Sequence, residues 1–222
     1  MDWDDRYSEP GFAYGTAPND FLASVVDRIP RGRILSLAEG EGRNAVYLAS
    51  LGYGVTGVDG SAVGLRKAQE LAAERGVAIT TVVTNLGDFQ IETEQWDGII
   101  SCYCHLPSAI RIPLHRAAVK GLKRGGVFVL EAFSKEQLAY GTGGPQSPDM
   151  LMSLEELKRE LSGLEFIHAI EMERDVHEGN KHTGLAAVVQ LLGVKTGDSE
   201  RNKLSPSCKK ESECNPRNLP NG

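Results

Sequence analysis

The sequence has few cysteines, and none is spaced as a metal ligand. Neither Cys102 with Cys104 nor Cys208 with Cys214 has the two-residue separation of a zinc knuckle, so a structural zinc site is excluded and free thiols are expected. No apolar run approaches the roughly 18 residues needed to span a membrane. The opening Met1-Asp2-Trp3-Asp4-Asp5-Arg6-Tyr7 is acidic where a secretory signal needs a basic start, so no membrane contact and a cytoplasmic location are expected. An excess of basic charge is also missing. With 24 Lys and Arg against 30 Asp and Glu, the net charge is −6, which offers no broad footprint for a nucleic-acid backbone. A monomer without a nucleic-acid partner is the expectation.

What is present is an average globular composition, 41% hydrophobic and 24% charged, over a length that suits one α/β domain. Apolar runs alternate with amphipathic stretches, the pattern of parallel strands joined by crossover helices. Strands are expected at 33–37, 54–58, 79–84, 96–101, 127–133, 165–173 and 185–194. The last two are separated by the polar turn His177 to Lys181, too short for a crossover, and must pair antiparallel. The fold class is therefore a Rossmann-like, doubly wound sheet of seven strands, mostly parallel with an antiparallel C-terminal hairpin. Ser61 is placed to cap one helix that Gly76 closes, and Ser153 with Glu156 has capping-box spacing. The domain is expected over 1–194, followed by a disordered polar tail over 195–222. Tyr140 to Pro148, rich in Gly and Pro, is an internal loop suited to act as a flap.

The chemistry concentrates after the first strand, in Ala38-Glu39-Gly40-Glu41-Gly42-Arg43-Asn44 running into a helix. Glycines let backbone approach a ligand, and a helix start offers unpaired amides. The second strand ends in Gly57-Val58-Asp59, a carboxylate where ribose hydroxyls bind in such sheets. Taken alone, Asp59 could merely cap the following turn. Gly40 to Ala45 also matches a dinucleotide fingerprint ending in Ala, which keeps a NAD-dependent oxidoreductase open. Glu39 and Glu41 in that loop would repel a pyrophosphate and suit a cationic ligand better.

Asn85-Leu86-Gly87-Asp88-Phe89, Leu122-Lys123-Arg124-Gly125-Gly126, Asp59 and the terminal hairpin together resemble the class I S-adenosylmethionine-dependent methyltransferases. Trp3-Asp4-Asp5-Arg6-Tyr7, Tyr14-Gly15-Thr16-Ala17-Pro18-Asn19-Asp20-Phe21-Leu22 and Gly42-Arg43-Asn44 resemble their small tellurite-resistance and thiopurine methyltransferase-like group. The resemblance implies S-adenosylmethionine as cofactor and transfer of its methyl group to a small acceptor, a soft nucleophile such as a thiol or chalcogenide. It implies cofactor contacts from Ala38, Glu39, Gly40, Gly42, Asn44, Asp59, Gly60, Leu86 and Asp88, with Gly40 and Gly42 at the methionine end, Asp59 on the ribose, and Leu86 and Asp88 framing the adenine. His105, in Cys104-His105-Leu106-Pro107, falls near the transferred methyl and is the candidate general base. A histidine satisfied structurally at a helix start is its rival reading. The family usually has an acid where this chain has Ser36 and a glycine where it has Ala38. Glu39 is the candidate to supply the missing carboxylate; otherwise the chain would be a catalytically silent adenosylmethionine-binding protein.

Overall fold

A computed structural model describes residues 3–179 and 182–197. The expectations for residues 198–222, including Cys208, Cys214 and the body of the polar tail, lie outside the described residues. Seven strands form one sheet: β1 (Arg33–Leu37), β2 (Gly54–Asp59), β3 (Thr80–Val83), β4 (Trp96–Cys102), β5 (Leu122–Phe133), β6 (Leu164–Glu178) and β7 (His182–Lys195). Their order is β3-β2-β1-β4-β5-β7-β6, with β1 to β5 parallel and β7 antiparallel to both β5 and β6. The strand order reverses between β1 and β4, so a ligand crevice is expected at their C-terminal ends.

Among the described residues six α-helices accompany the sheet: α1 (Trp3–Tyr7), α2 (Asp20–Val25), α3 (Arg43–Ser50), α4 (Ala62–Glu74), α5 (Ser108–Gly121) and α6 (Leu154–Glu160). The expected signals act locally. Ser61 caps α4 through Gly64 N–H, and Ser153 and Glu156 form both halves of a capping box on α6. Alternate residues of β1 face opposite layers. Leu35 and Leu37 pack with Leu114 and Ala118 of α5 and Leu157 and Leu161 of α6, while Ile34 packs with Leu22 of α2 and Ala45 and Leu48 of α3. Burying each such side chain contributes about 1.5–3 kcal/mol, so these two cores hold the sheet rigidly between the helices.

The hairpin departs from expectation by its length. Residues 174–178 extend β6 where a polar turn was expected, because their polarity points inward: Val176 and Glu178 are buried, and Arg174 joins them on the same face. Lys195, placed in the tail from sequence, instead completes β7 and donates to the carbonyls of Lys120 and Leu122 at 3.1 and 2.6 Å. The 140–148 segment is tied at several points. Tyr140 donates to Glu173 at 2.5 Å, Thr142 donates to the Leu185 carbonyl at 2.7 Å, and Gly144 lies against the Phe133 ring.

Candidate functional site

The turn leaving β1 is shaped by three left-handed residues, Ala38, Gly40 and Gly42. Ala38 has φ +51°, a conformation that costs a residue with a Cβ about 1–2 kcal/mol and that a glycine would adopt without that cost. Gly40 has φ +61°, and a Cβ on it would lie 2.6 Å from the Tyr7 hydroxyl, so α1 sits directly on the turn. Gly42, the N-cap of α3, would place a Cβ 2.6 Å from Ala68 and so sets the close approach of α3 to α4.

Glu39 does not project from this turn. Its carboxyl reaches back beneath the turn, bonding the Ser36 hydroxyl through one oxygen and accepting the Ala45 N–H at 2.9 Å through the other. It thereby caps α3, which Gly42 cannot do with a side chain. Burial pushes its carboxyl up to about 7, against the lowering effect of the Ser36 and Ala45 bonds. Glu41 also turns away, accepting the Ala13 N–H at 2.7 Å and pairing with Lys67 at 2.9 Å. The expected repulsion of a pyrophosphate by an acidic loop is corrected here, because one acid is buried beneath the turn and the other is neutralised. Glu39, three residues downstream of Ser36, bonds the Ser36 hydroxyl directly.

Asp59 stands at the end of β2, buried, with one oxygen accepting Gly40 N–H at 2.9 Å and the other Ser61 N–H at 2.8 Å. Burial raises its pKa, opposed by the Ser61 and Gly40 amides. The Gly60 amide also acts on it, and since a carboxylate has about four lone-pair sites, acceptor capacity remains beyond these bonds. Beside it Gly60 is uncrowded, and a Cβ there would meet only the Thr84 carbonyl at 3.9 Å. A buried carboxylate with spare acceptor capacity next to open backbone fits a diol such as a ribose. Leu86 is buried and Asp88 exposed in the following turn, which Asn85 closes by accepting Gly87 N–H at 2.9 Å.

Asn44 serves the backbone: its oxygen accepts Asn19 N–H at 2.9 Å and fixes the start of α2. Asn19 in turn donates to Glu131 and, at 2.9 Å, to Glu178. Glu178 also pairs with Arg43 at 2.7 Å, and Glu131 accepts from Arg174 at 2.8 and 3.0 Å and from Gln190 at 2.8 Å. This network joins the tip of the β6–β7 hairpin to the first residue of α3. Sequence reasoning missed it, although Glu131 inside the apolar run Val127 to Phe133 was a visible signal.

His105 lies at the C-terminal edge of the sheet, as expected, but between two backbone groups. Its Nδ1 is 3.0 Å from the Met150 carbonyl and its Nε2 accepts Phe133 N–H at 3.2 Å, which defines a neutral imidazole protonated on Nδ1. Both ring nitrogens are engaged in this conformation. Tyr103, just before it, has φ +52° and rings at 4.8 Å from Phe133 and 6.2 Å from His105.

Residues 34–126, which hold β1 to β4, α3 to α5, the glycine turn and Asp59, match the family model of a methyltransferase domain. The match covers less than half of the chain. The chain is 23% identical over 141 residues to the 2-heptyl-1-hydroxyquinolin-4(1H)-one methyltransferase of Mycobacteroides abscessus, and the match spans 62% of each chain. The fold is similar to TehB from Haemophilus influenzae, with a TM-score of 0.66 and 20% identity over 87% of this chain and 66% of that one. It is also similar to a structure described for the conversion of a disulfide bond into a thioacetal group during echinomycin biosynthesis. There the TM-score is 0.68 at 20% identity, covering 91% of this chain and 95% of that one. Among the described residues no cluster of His, Cys, Asp or Glu could hold a metal, and no helix is long and apolar enough to cross a membrane.

Proposed function

We propose that the protein transfers the methyl group of S-adenosylmethionine to a small-molecule acceptor, with a soft nucleophile such as a thiol or chalcogenide favoured. The observation that carries this reading is Asp59, a buried carboxylate with spare acceptor capacity beside the glycine turn within the residues that match a methyltransferase domain. In this reading Asp59 holds the ribose hydroxyls, Gly40 and Gly42 line the methionine end, and Leu86 supports the adenine, with Asp88 at its rim. Ala38, Glu39, Asn44 and Gly60 shape the turn and its surroundings, Glu39 from beneath and Asn44 through Asn19. The cofactor, when bound, supplies an activated methyl group on its sulfonium.

The residues of this chain then have to bind, orient and exclude water. Positioning a nucleophile in line with the methyl can remove about 7–11 kcal/mol of the barrier, so no nucleophilic triad is required. His105 positions rather than titrates in this scheme, which suits an acceptor that arrives already ionised, as a thiolate does. The likeness to a structure concerned with disulfide and thioacetal chemistry supports a sulfur acceptor, while the quinolone methyltransferase keeps an N-hydroxylated aromatic ring in the acceptor panel.

Calorimetric titration with S-adenosylmethionine, S-adenosylhomocysteine and NAD, paired with a screen of thiols, selenide, tellurite and hydroxyquinolones, tests the reading. Binding of the first two and methylation of a thiol or chalcogenide is the expected result. Saturable binding of NAD without S-adenosylmethionine would overturn the cofactor; binding without turnover of any acceptor would leave an adenosylmethionine-binding protein.

A further inference from the structure

α5 and α6 enclose a cavity of about 440 Å³ in the layer opposite α3, and none of its lining residues belongs to the glycine turn or to Asp59. Arg111 is buried in its wall. Its Nε donates to both Glu160 oxygens at 3.2 Å, one terminal nitrogen donates to Glu160 at 2.9 Å, and the other to the Asp149 carbonyl at 2.8 Å. A guanidinium has five N–H groups, so one remains on each terminal nitrogen, and such a pair suits the two oxygens of a phosphate or carboxylate.

Three more cations line the same space: Arg116, Lys135 and Arg159. The acids that share it are occupied structurally. Glu160 holds Arg111 and accepts from His115 Nδ1 at 2.7 Å, and Asp149 accepts the Ser108 N–H at 2.9 Å. Glu156 accepts the Ser153 N–H within its capping box and pairs with Lys135 at 2.5 Å. The basic side chains are freer. Among the described residues Arg116 has no ion pair, and Arg159 pairs with Glu155 on a largely exposed helix surface, where such a pair contributes little.

We propose that this cavity is a second binding site, taking a small ligand that carries a phosphate or several carboxylates. The buried Arg111 fork holds one oxyanion and the exposed heads of Arg116 and Arg159 reach the rest. The volume is that of an ordinary small-molecule site.

Sodium pyrophosphate and sodium citrate, each titrated at constant ionic strength against a sodium chloride control, provide the probes. Calorimetry reads the affinity and amide NMR reads the location. One saturable site is expected, with shifts confined to α5, α6 and residues 148–151, and the stronger probe identifies phosphate or carboxylate as the preferred group. The double variant Arg116→Glu/Arg159→Glu, both positions being exposed, should weaken that binding about tenfold or more and leave S-adenosylmethionine affinity unchanged. Failure of both probes to saturate overturns the proposal. So does an unchanged affinity in the double variant, or shifts centred on the glycine turn.

Discussion

The two ends of the sheet's C-terminal edge both bury acids, but they satisfy them differently. On the β2 side, Asp59 and Glu39 accept backbone N–H groups from nearby in the chain, at separations of 19, 2 and 6 residues. On the hairpin side, Glu131 and Glu178 are held by side chains from far away, with separations of 112, 135 and 159 residues. Backbone amides are fixed once the turn forms, so the first arrangement is preorganised and leaves acceptor capacity for a ligand. The second uses long cationic side chains that must be ordered by folding. It works as a latch between the hairpin and α3, and the cofactor end does not depend on it for its own shape.

Breaking the latch should have the largest effect. Glu178→Ala leaves the Arg43 guanidinium buried without its carboxylate, and removing one partner of such a pair costs about 3–5 kcal/mol. Denaturant unfolding should show that loss. Adding Arg43→Met should recover much of it, since an apolar replacement of the whole pair is often tolerated. A Glu178→Ala protein as stable as wild type would mean that the hairpin tip is not latched through this pair.

At the other end, the effect should fall on binding rather than stability. With Asp59 on the ribose as proposed, Asp59→Ala removes two charge-assisted bonds together worth about 3 kcal/mol or more, so S-adenosylmethionine should bind about a hundredfold more weakly. Asp59→Asn, which keeps an acceptor for only one of the Gly40 and Ser61 amides, should lie between wild type and Asp59→Ala. Equal affinity in a variant with a native melting curve would remove Asp59 from the cofactor site.

This same division decides what the sequence revealed. Strands β1 to β4, the Ser61 cap and the Ser153–Glu156 box are local signals, and each appeared within a residue or two of its expected place, whereas β5 begins five residues and β7 three residues before theirs. The β6 extension did not, because Arg174 and Glu178 look like turn residues until Glu131, Asn19 and Arg43 are brought to meet them. The turn after β1 was legible as backbone shape, through Gly40 and Gly42, yet not as side-chain direction. Nothing in the order Glu39-Gly40-Glu41 says that one acid dives toward Ser36 and the other turns to Lys67. Likewise the carbonyl of Met150, which engages His105, comes from a segment 45 residues away.

The preorganised end also carries a pH signature of intermediate size. Glu39 has its folded-state pKa raised to about 7 from 4.5, so the native state holds this proton more tightly than the unfolded chain does. Stability therefore falls as pH rises through that window and levels off above it, a cost of about 1–3 kcal/mol from this one group. Glu39→Gln keeps an acceptor for Ala45 N–H and a donor for Ser36, without a charge to bury. Its unfolding free energy should be flatter between pH 5 and 8 than that of wild type, and higher at pH 8. Parallel pH profiles for the two proteins would show that Glu39 does not carry the slope.

The smallest expected effect separates positioning from proton transfer at the middle of the edge, where β4 and β5 end. His105 bridges the Met150 carbonyl and the Phe133 amide, so replacing it loosens the segment before α6 and the end of β5 without emptying a charged site. His105→Gln should cost about 1–2 kcal/mol of stability, the worth of one or two neutral hydrogen bonds. Its kinetic effect should be a modest rise in acceptor KM as the wall of the site shifts, with kcat for a thiol acceptor nearly retained. The decisive readout is the pH profile of kcat/KM. A general base leaves an ascending limb that disappears with the imidazole, whereas a backbone clamp leaves the profile's shape unchanged and set by ionisation of the acceptor. Loss of such a limb together with a fall of about a hundredfold or more in kcat would return His105 to the reaction itself. That outcome would require its ring to leave the Phe133 amide during turnover, and the hydrogen exchange of that amide in the acceptor complex would show it.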